Sequence, residues 1–429
     1  MSDLINNPRE NVLIWVDLEF IYFGIAKHLQ KNYDCNLYSI LDINPKTKKF
    51  FENQKLVNFE KTWNYLDNVT INEDYDLEYL KKFEKKYKID LWNLAYSERS
   101  FYNYNEYYTF NSKKILNILE QECRFFENVL DEVKPKFIII KTTDWHHTQL
   151  FYELCKAKGI KILMLIATRF GYRLSIEENI NKFDDLEDVK IKNDELKSPK
   201  ELLKFLKNFD TFEQTKDVLN IQDQAKFGKM FDAIKFLLLN FDNDYQKRYS
   251  SFGWSRFRIL FKEGSKIVRK RFSERYIKNN SINEIESNKK IIYFPLHLEP
   301  ERSLSTDAPF YTNQLEVISN IAKALPVDYS LYVKEHPAMK LLGWREISFY
   351  KKIKNLPNVF LVNPFLKPEI LYEKCSLVIT ITGTAAFEAA FYSKPAIVMS
   401  DLIFSSLTSI ERIKSFEELS DKIKISLNK

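Results

Sequence analysis

Short apolar runs alternate along the chain with segments whose apolar residues recur at helical spacing, which predicts strands and helices in turn. VLIWV (12–16) and KFIIIK (136–141) are such runs, and the helical segment after the second ends at Gly159, a residue suited to a left-handed C-cap. Strand, helix and strand in this order predict a parallel pair with a right-handed crossover. The N-terminal part of the chain is predicted to hold strands at 12–16, 37–41, 136–141 and 160–166 and helices at 20–30, 75–88, 112–130 and 147–158.

The C-terminal third repeats this alternation. Continuous apolar strands of the kind found here are buried on both faces, as in a parallel sheet covered by helices. The pattern therefore predicts a doubly wound α/β domain. Its predicted strands are 291–296, 330–334, 359–362, 377–381 and 396–399, and its predicted helices are 312–325, 344–354, 368–374 and 384–392.

Strand character is lost between these two regions, where 200–206 and 225–239 are predicted to be helical. We therefore expect an N-terminal α/β domain over 1–178, a helical bridge over 179–285 and a C-terminal α/β domain over 286–429. The predicted fold class is α/β, with two doubly wound Rossmann-type domains facing a cleft and a helical bridging insertion.

Composition narrows the class of protein. The 429 residues are 45% hydrophobic and 29% charged, which is ordinary for a folded soluble protein. No apolar run approaches the roughly 18 residues of a membrane helix, and the first residues lack the apolar core of a signal peptide, so we expect a cytoplasmic protein. The four cysteines (Cys35, Cys123, Cys155 and Cys375) are scattered, which argues against a disulfide framework or a cysteine zinc site.

Positive charge is concentrated in one segment. Residues 246–278 hold eleven Lys or Arg and two Glu, a balance of +9, whereas the whole chain carries +6. This composition suits an amphipathic helix on an anionic membrane surface, and a nucleic-acid surface would have a similar one. The alternative is a helix that packs its aromatics on a domain and leaves a basic face in solvent. The aromatic residues of the segment include Phe252, Trp254, Phe257, Phe261 and Phe272.

The turn Thr382-Gly383-Thr384 lies between a predicted strand and a predicted helix. Gly383 would permit a sharp turn, Thr384 is suited to the N-cap, and the N–H groups of the first helical turn would then attract an anion. Glu388, one turn into the helix, is placed to accept hydrogen bonds from ribose hydroxyls. The competing interpretation is a capped, alanine-rich helix that packs on a sheet.

His336 follows another predicted strand in the segment LYVKEHP (331–337), and Pro337 biases it towards an extended conformation. Its imidazole could donate to a phosphate oxygen and, if protonated, would offset the charge on a phosphate leaving group. Lys334, at the end of the strand, is a weaker candidate for the phosphate, and the alternative is a strand-end charge without a function. A lone histidine is more often structural, but its place at a strand's carboxyl end favours a function.

The loop after the first C-terminal strand should line the same edge of the sheet. Its polar residues could bind a hydroxylated ligand or supply a base. For Glu301 and Asp307 the alternative is a solvated acidic loop. The candidates in this loop are His297, Glu299, Glu301 and Asp307.

Polar residues also follow the strands of the N-terminal half. An aspartate or histidine there could be the general base, so Asp17, Asp144 and His146 are the catalytic candidates together with His336. A pair of arginines could bind a carboxylate or phosphate. The histidine pair would suit a metal, but no third ligand lies at a suitable spacing, and we predict none. Structural roles compete with each of these residues, which are Asp17, Glu19, Asp144, His146, His147, Arg169 and Arg173.

Three segments resemble the bacterial capsule polysaccharide biosynthesis proteins. They are PLHLEPERSLSTDAPFYTNQ (295–314), LYVKEHP (331–337) and TITGTAAFEAAFYSKPAIV (380–398). These proteins are glycosyltransferase-like, have GT-B architecture and include enzymes that transfer Kdo from CMP-Kdo. Sialyltransferases of GT-B type share the His-Pro motif and a hydroxyl-rich turn. The resemblance spans about 291–399.

The resemblance implies that His336 contacts the donor phosphate, that Thr382, Gly383 and Thr384 hold the nucleotide, and that Glu388 lies near the ribose. The chain departs from the family pattern at Glu299, where glutamine is common. It also departs at 307–309, near which the family often carries a glycine pair.

We therefore expect a glycosyltransferase of surface polysaccharide assembly, cytoplasmic and peripheral to the membrane. Its donor would be a CMP-linked acidic sugar such as Kdo or sialic acid, with no other cofactor and no metal. The N-terminal domain would bind a glycan acceptor, which could be lipid-linked, and nucleic acid would not be a partner. The alternatives are a CDP-alcohol polyol-phosphate transferase, a UDP-sugar epimerase, or an inactive sugar-binding scaffold.

Overall fold

The computed structural model divides into two compact units, and each forms a six-stranded sheet. The helix predicted over 225–239 lies outside the described residues, as does that over 200–206 except for positions 201, 203 and 204. The N-terminal unit comprises Met1–Thr168, Tyr172–Asp184 and Asp242–Trp254, and the C-terminal unit comprises Arg169–Gly171, Asp185–Phe241 and Ser255–Lys429. The structure describes residues 9–101, 104–168, 173–184, 198, 201, 203–204, 215, 217–218, 248–286 and 289–428.

The N-terminal sheet has the order β3-β2-β1-β4-β5-β6 and is parallel except for the antiparallel pair of β5 and β6. Leu13 and Trp15 contribute to one core, whereas Val12 and Ile14 contribute to the other, because successive side chains of a strand point to opposite faces. The strands are β1 (Glu10–Val16), β2 (Cys35–Leu41), β3 (Lys61–Asn64), β4 (Phe137–Ile140), β5 (Lys161–Ala167) and β6 (Leu174–Glu177).

Helices cover both faces of this sheet. The longest begins after Asn111, whose side chain accepts from the Lys114 N–H, and it buries an apolar stripe that includes Ile118 and Phe126. The described helices of the unit are α1 (Ile21–Asn32), α2 (Pro45–Asn53), α3 (Leu77–Tyr87), α4 (Leu91–Ser97), α5 (Ser112–Val133) and α6 (His146–Ala157).

The C-terminal sheet is parallel throughout and has the order β12-β11-β10-β7-β8-β9. Ile292 and Phe294 of its central strand enter one core, and Ile291 and Tyr293 enter the other. The strands are β7 (Lys290–Pro295), β8 (Tyr329–Lys334), β9 (Val359–Val362), β10 (Leu377–Thr380), β11 (Ala396–Val398) and β12 (Ile410–Arg412).

The C-terminal unit is also covered on both faces. Among the described residues, no helix combines the length and the apolar character needed to cross a membrane. The described helices are α7 (Arg256–Asn280), α8 (Arg302–Ser305), α9 (Gln314–Ala324), α10 (Met339–Leu342), α11 (Ile347–Lys354), α12 (Pro368–Lys374), α13 (Ala385–Ala390) and α14 (Leu419–Leu427).

Both sheets share one strand order, 3-2-1-4-5-6 when the strands of each unit are counted along the chain. The order reverses between the first and fourth strands, and open α/β sheets bind ligands in the crevice at that point, outside the strands' carboxyl ends. The crevices lie between β1 and β4 and between β7 and β10. The predicted class of two doubly wound α/β domains is confirmed. The edge strands β3 (KTWN), β6 (LSIE) and β12 (IER) were missed because they are short and contain charged residues, so they do not form apolar runs.

Candidate functional site

The crevice between β7 and β10 contains a cavity of about 210 Å³. Loops after β7, β8 and β10 form its walls, as the strand order requires. Glu299, which the sequence also places here, does not line it. The cavity brings together eight residues singled out from the sequence, namely His297, Glu301, Lys334, His336, Thr382, Gly383, Thr384 and Glu388.

The turn after β10 is closed by the hydroxyl of Thr380, a residue that the sequence did not single out. The Gly383 N–H donates to Thr380 Oγ1 at 3.1 Å, and the Thr382 N–H donates to His297 Nε2 at 3.2 Å. A Cβ on Gly383 would lie 2.5 Å from Thr380 Oγ1 and 3.3 Å from the His297 ring. Glycine is therefore required here by the close approach of neighbouring side chains.

Thr384 directly precedes α13, but its side chain makes no capping hydrogen bond, contrary to the prediction. Its backbone is already helical (φ −60°), and its hydroxyl donates to Glu388 Oε1 at 3.2 Å. Residues four apart lie on one face of a helix, which explains the contact. Thr384 therefore positions Glu388.

Thr382 carries the feature that points most directly to a ligand. The residue is 4% exposed and lines the cavity, and its Oγ1 has no hydrogen-bond partner among the described residues. Leaving a buried hydroxyl unsatisfied costs about 1–3 kcal/mol. A polar ligand atom in the cavity would remove this cost.

His297 braces the turn from the loop after β7. Its Nε2 accepts from the Thr382 N–H, so the ring proton is on Nδ1 in the neutral form. The backbone N–H of His297 donates to Gln314 Oε1 at 2.8 Å. His297 therefore joins the β7 loop to the β10 turn.

Arg345 is a buried hub of the same site that the sequence did not reveal. Its Nε donates to Glu335 Oε2 at 2.8 Å, Nη1 pairs with Glu299 Oε2 at 2.5 Å, and Nη2 donates to the His297 carbonyl at 2.6 Å. Glu335 is fully buried, and its other oxygen accepts from the His336 N–H at 2.8 Å. One guanidinium thus fixes the loops that carry both histidines.

Two acidic candidates of the β7 loop are engaged by protein groups. The Glu299 carboxylate is shared by Arg345 and Gln314, so the structure gives it a structural role in place of the predicted contact with the donor. Asp307 pairs with Arg302 at 2.6 Å, with both side chains about one tenth exposed, which disfavours a role as base.

The hydrogen-bonding state of His336 is set by its neighbours. The Ala338 N–H donates to Nδ1 at 3.2 Å, so Nε2 carries the proton. Burial, followed by the charges of Lys334 and Arg345, lowers the pKa of His336 to about 4. At neutral pH the unliganded ring is therefore an uncharged donor through Nε2, and it does not carry the positive charge considered from the sequence.

Glu388 faces the cavity from α13. Burial raises the pKa of this carboxyl, and hydrogen bonds oppose the rise. Tyr372 OH donates to Oε2 at 2.9 Å and Thr384 Oγ1 donates to Oε1. Both oxygens are therefore fixed in position, and each keeps acceptor capacity for a ligand.

The crevice of the N-terminal unit, between β1 and β4, holds two of the predicted acids. Asp17 is 5% exposed and pairs with Lys141 Nζ at 2.9 Å. Asp144 is half-buried. Burial lowers the pKa of Lys141, but the hydrogen bond and charge of Asp17, followed by the charge of Asp144, raise it above its usual value. Of the two carboxylates, Asp144 is the more accessible to solvent.

His146 is fully buried and is enclosed by two carboxylates. Nδ1 lies 2.5 Å from Glu98 Oε2, and Nε2 lies 3.0 Å from Glu122. Burial lowers the pKa of His146, but Glu122 and Glu98 raise it to about 10. A protonated ring with both nitrogens engaged cannot accept a proton from a substrate, so we exclude His146 from the candidate bases.

The two predicted arginines receive little support as a binding pair. Arg173 is exposed, and its carbonyl accepts from the Thr168 N–H at 3.1 Å. Arg169 lies outside the described residues. The suggestion that they bind an acidic group stays a prediction.

The aromatics of the basic segment separate into two groups. Phe252 and Trp254 pack against tyrosines of the N-terminal unit. In α7, by contrast, a stripe of apolar side chains faces solvent while Ser273 and Ile277 on the opposite side are buried. The exposed large apolar residues of α7 are Phe257 (86%), Leu260 (49%), Phe261 (77%), Ile267 (56%), Val268 (55%) and Phe272 (63%).

The solved structures to which the chain is similar share little sequence with it. A UDP-GlcNAc 2-epimerase from Methanocaldococcus jannaschii is 14% identical, with 98% of this chain and 93% of that chain covered and a TM-score of 0.28. The β-Kdo 2,7 transferase of KpsC from Thermosulfurimonas dismutans is 11% identical, with 77% and 82% covered and a TM-score of 0.32. These values are too low to transfer an activity. No curated protein matches the chain.

One family model matches the chain over residues 191–416, more than half of its length. The matched range contains His297, Arg345, His336 and the Thr382–Thr384 turn, and so the whole wall of the cavity built above. The chain belongs to the family described as capsule polysaccharide biosynthesis protein.

Proposed function

We propose that the chain is a glycosyltransferase of capsule polysaccharide biosynthesis whose C-terminal unit binds a nucleotide sugar between β7 and β10. The family supports a role in polysaccharide synthesis. The strand order supports binding of a nucleotide at the carboxyl edge of the C-terminal sheet. The observation that carries the proposal is the buried Thr382 hydroxyl, which lines the cavity without a partner among the described residues. A phosphate oxygen of the donor would accept its hydrogen bond.

The remaining groups suit the chemistry of a phosphate leaving group. Sugar transfer breaks the bond between the anomeric carbon and a phosphate oxygen, and negative charge grows on that phosphate. His336 Nε2–H would donate to it, and the buried Lys334 would supply positive charge in a site with little water. In this proposal these two side chains take the place that a metal ion holds in other transferases.

Glu388 is proposed to bind the ribose. A carboxylate has about four acceptor positions, and Tyr372 and Thr384 fill one on each oxygen. The remaining positions would accept the ribose hydroxyls. We further propose a CMP-linked acidic sugar as the donor. The choice is supported by the resemblance of the three motifs to a family that includes Kdo transferases, and by the His-Pro motif and hydroxyl-rich turn that resemble those of sialyltransferases.

The acceptor glycan is assigned to the N-terminal unit. Asp144 follows β4 at the crevice of that sheet and is half-buried, whereas Asp17 is tied to Lys141 and His146 is enclosed. We therefore propose that Asp144 removes the proton from the acceptor hydroxyl.

Helix α7 is proposed to lie on an anionic membrane surface, which would bring the protein to lipid-linked acceptors. Nine Lys or Arg and two Glu accompany its exposed apolar stripe. Each buried Phe would contribute roughly 1.5–3 kcal/mol and each basic residue near anionic lipid about 1 kcal/mol. Ser273 Oγ, on the buried side, donates to the Arg345 carbonyl at 3.1 Å and so ties α7 to the rest of its unit.

Nucleotide binding tests the site. Titration of the full chain with CMP, CDP, UDP and GDP should give a response to cytidine nucleotides. Thr382→Val should weaken binding roughly 10- to 100-fold, because a hydrogen bond to a charged acceptor contributes about 1.5–3 kcal/mol. Thr382→Ser should keep most of the affinity, and the exposed Thr408→Val is the matched control. If Thr382→Val bound as well as the wild type, the assigned phosphate position would be wrong.

Product analysis separates the enzyme classes. Transfer of a labelled sugar from a CMP-sugar to a glycan, without phosphorus in the product, is the expected result. Phosphorus in the product would indicate polyol-phosphate transfer. Conversion of a UDP-sugar without an acceptor would indicate an epimerase. A chain that binds no nucleotide would be a scaffold.

Vesicle flotation tests the membrane proposal. The protein should float with vesicles of phosphatidylglycerol and phosphatidylcholine and not with phosphatidylcholine alone. The double variant F257D/F261D should lose flotation. Phe310→Asp changes a phenylalanine that is 89% exposed elsewhere in the same unit, so it should float normally. Equal binding by both variants would refute the role of α7.

A further inference from the structure

The N-terminal unit contains a buried polar cluster that the proposed transfer reaction does not use. Glu98, Glu122 and His146 are each at most 1% exposed, and His147 is 4% exposed. Among the described residues, no lysine or arginine forms an ion pair with either glutamate. The protonated His146 balances one of the two carboxylates, and the remaining negative charge lies where solvent cannot screen it, which is costly without a further compensating cation.

Both histidines are oriented as metal ligands usually are. Glu98 Oε2 lies 2.5 Å from His146 Nδ1, and Asp42 Oδ2 lies 3.2 Å from His147 Nε2. Metal-bound histidines characteristically donate their outer N–H to a carboxylate, which fixes the ring and makes the inner nitrogen a better ligand. Each ring here has a carboxylate on one nitrogen, and the other nitrogen lies near Glu122 in His146 and near the Tyr249 hydroxyl in His147.

Glu122 is the third ligand, which could not be identified from the spacing of residues near the histidine pair in the sequence. His146 Nε2 lies 3.0 Å from both oxygens of Glu122, and one ligand atom from each of Glu122, His146 and His147 falls within 4.8 Å of the others. Tyr249 OH lies 3.0 Å from His147 Nδ1 and is a candidate for the fourth position.

We infer that Glu122, His146 and His147 bind one divalent transition-metal ion, with Zn²⁺ as the best match. Two imidazoles and a carboxylate form a common zinc ligand set. Bond lengths of about 2.0–2.2 Å and tetrahedral angles place ligand atoms about 3.3 Å apart. The pair of His146 and Glu122 is already near this spacing, and the widest pair would contract by at most about 1.5 Å on binding. The ion replaces the proton on His146 Nε2, which is released to solvent.

The burial of all three ligands makes this a structural site and not a catalytic one. The ion would join α5, which carries Glu122, to the start of α6, which carries both histidines. Asp144, the proposed base, lies two residues before His146. Metal binding would therefore stabilise the N-terminal unit and fix the segment that carries Asp144. The inference does not depend on the proposed function, because it rests on ligand geometry alone.

Metal analysis of the full-length protein tests the inference. The chain is stripped with a chelator, titrated with Zn²⁺ and passed through gel filtration, and bound zinc is measured by mass spectrometry. We expect one equivalent of retained zinc and a higher melting temperature. Glu122→Gln and His147→Gln should each lose this zinc. Glu98→Gln, which removes only an outer carboxylate, should weaken binding about 10- to 100-fold. The exposed His28→Gln is the control and should bind one equivalent.

Absence of retained zinc in the wild type, or equal retention by the wild type and the ligand variants, would overturn the inference. If the ligand variants do not fold, the visible absorption spectrum of the wild type loaded with Co²⁺ tests the inference instead. Intense visible bands that one equivalent of Zn²⁺ abolishes would support a tetrahedral buried site. The weak spectrum of hydrated Co²⁺ would overturn it and would leave His146 as a proton-bearing bridge between the two glutamates.

Discussion

Replacing Arg345 by methionine should destabilise the C-terminal unit strongly. Arg345 is 8% exposed, and its guanidinium pairs with Glu335, which is fully buried, and with Glu299. Methionine fills similar space but leaves the Glu335 carboxylate without its positive partner. The His297 carbonyl loses a donor in the same change.

The size of this effect follows from burial. Breaking a buried ion pair by removing one partner costs about 3–5 kcal/mol. For a unit of this size each kcal/mol lowers the melting temperature by roughly 2–4 °C. We therefore expect R345M to lower the melting temperature of the C-terminal unit by roughly 6–20 °C. In E335Q/R345M the buried charge of Glu335 is absent, so part of this loss should be recovered.

Scanning calorimetry tests this prediction. The unfolding transition that shifts when a cytidine nucleotide is bound is the one that belongs to the C-terminal unit. Arg412→Met is a matched control, because Arg412 pairs with Asp401 at 2.6 Å while their side chains are 41% and 69% exposed. An exposed pair contributes about 0–1 kcal/mol, so this variant should melt within about 4 °C of the wild type. Equal melting temperatures for R345M and R412M would refute the reasoning, as would a double variant less stable than R345M.

Three further results are expected. Gly383→Ala should abolish the nucleotide response, because its Cβ would lie 2.5 Å from Thr380 Oγ1; Gly24→Ala, with nothing within 4 Å, should leave binding intact, and normal binding by both would contradict the close-approach argument. The pKa of His336 is about 4 when folded and 6.5 when unfolded, so the unliganded protein should lose up to roughly 3 kcal/mol of unfolding free energy between pH 6.5 and 4. A His336→Gln variant should lose less over this range, and identical denaturant curves for the two proteins would disprove the shift. Asp144→Asn should lower kcat by roughly 10²- to 10⁴-fold with little change in nucleotide affinity, and unchanged turnover would remove it as the base.

The central elements of both sheets were predictable from the sequence because their signals are strong and local. β7 and β8 are apolar runs followed by polar residues, and the structure assigns Lys290–Pro295 and Tyr329–Lys334. The carboxyl ends of parallel strands meet at one edge, so the prediction that His297, His336 and the Thr382–Thr384 turn lie together required only the order of the elements. The cavity confirms that they do.

Other parts of the site depend on contacts between residues far apart in sequence. Arg345 contacts Glu299 and the His297 carbonyl across more than forty positions, and nothing in its local sequence marks it as buried. Glu299 looked like a ligand-binding acid because its partner could not be identified. His146 looked like a candidate base for the same reason, because the two carboxylates that enclose it lie on α5 and after α4.

The sequence by itself determined the alternation of strands and helices, the two α/β domains, the turn after β10 and the family. These features depend on periodicity and on motifs only a few residues long. The tertiary structure alone decided which polar side chains are already paired, which hydroxyl is buried without a partner, and which histidine is neutral or enclosed. The physical reason is that burial and ion pairing are set by groups brought together from distant parts of the chain, and these determine whether a polar residue stabilises the fold or is available to a ligand.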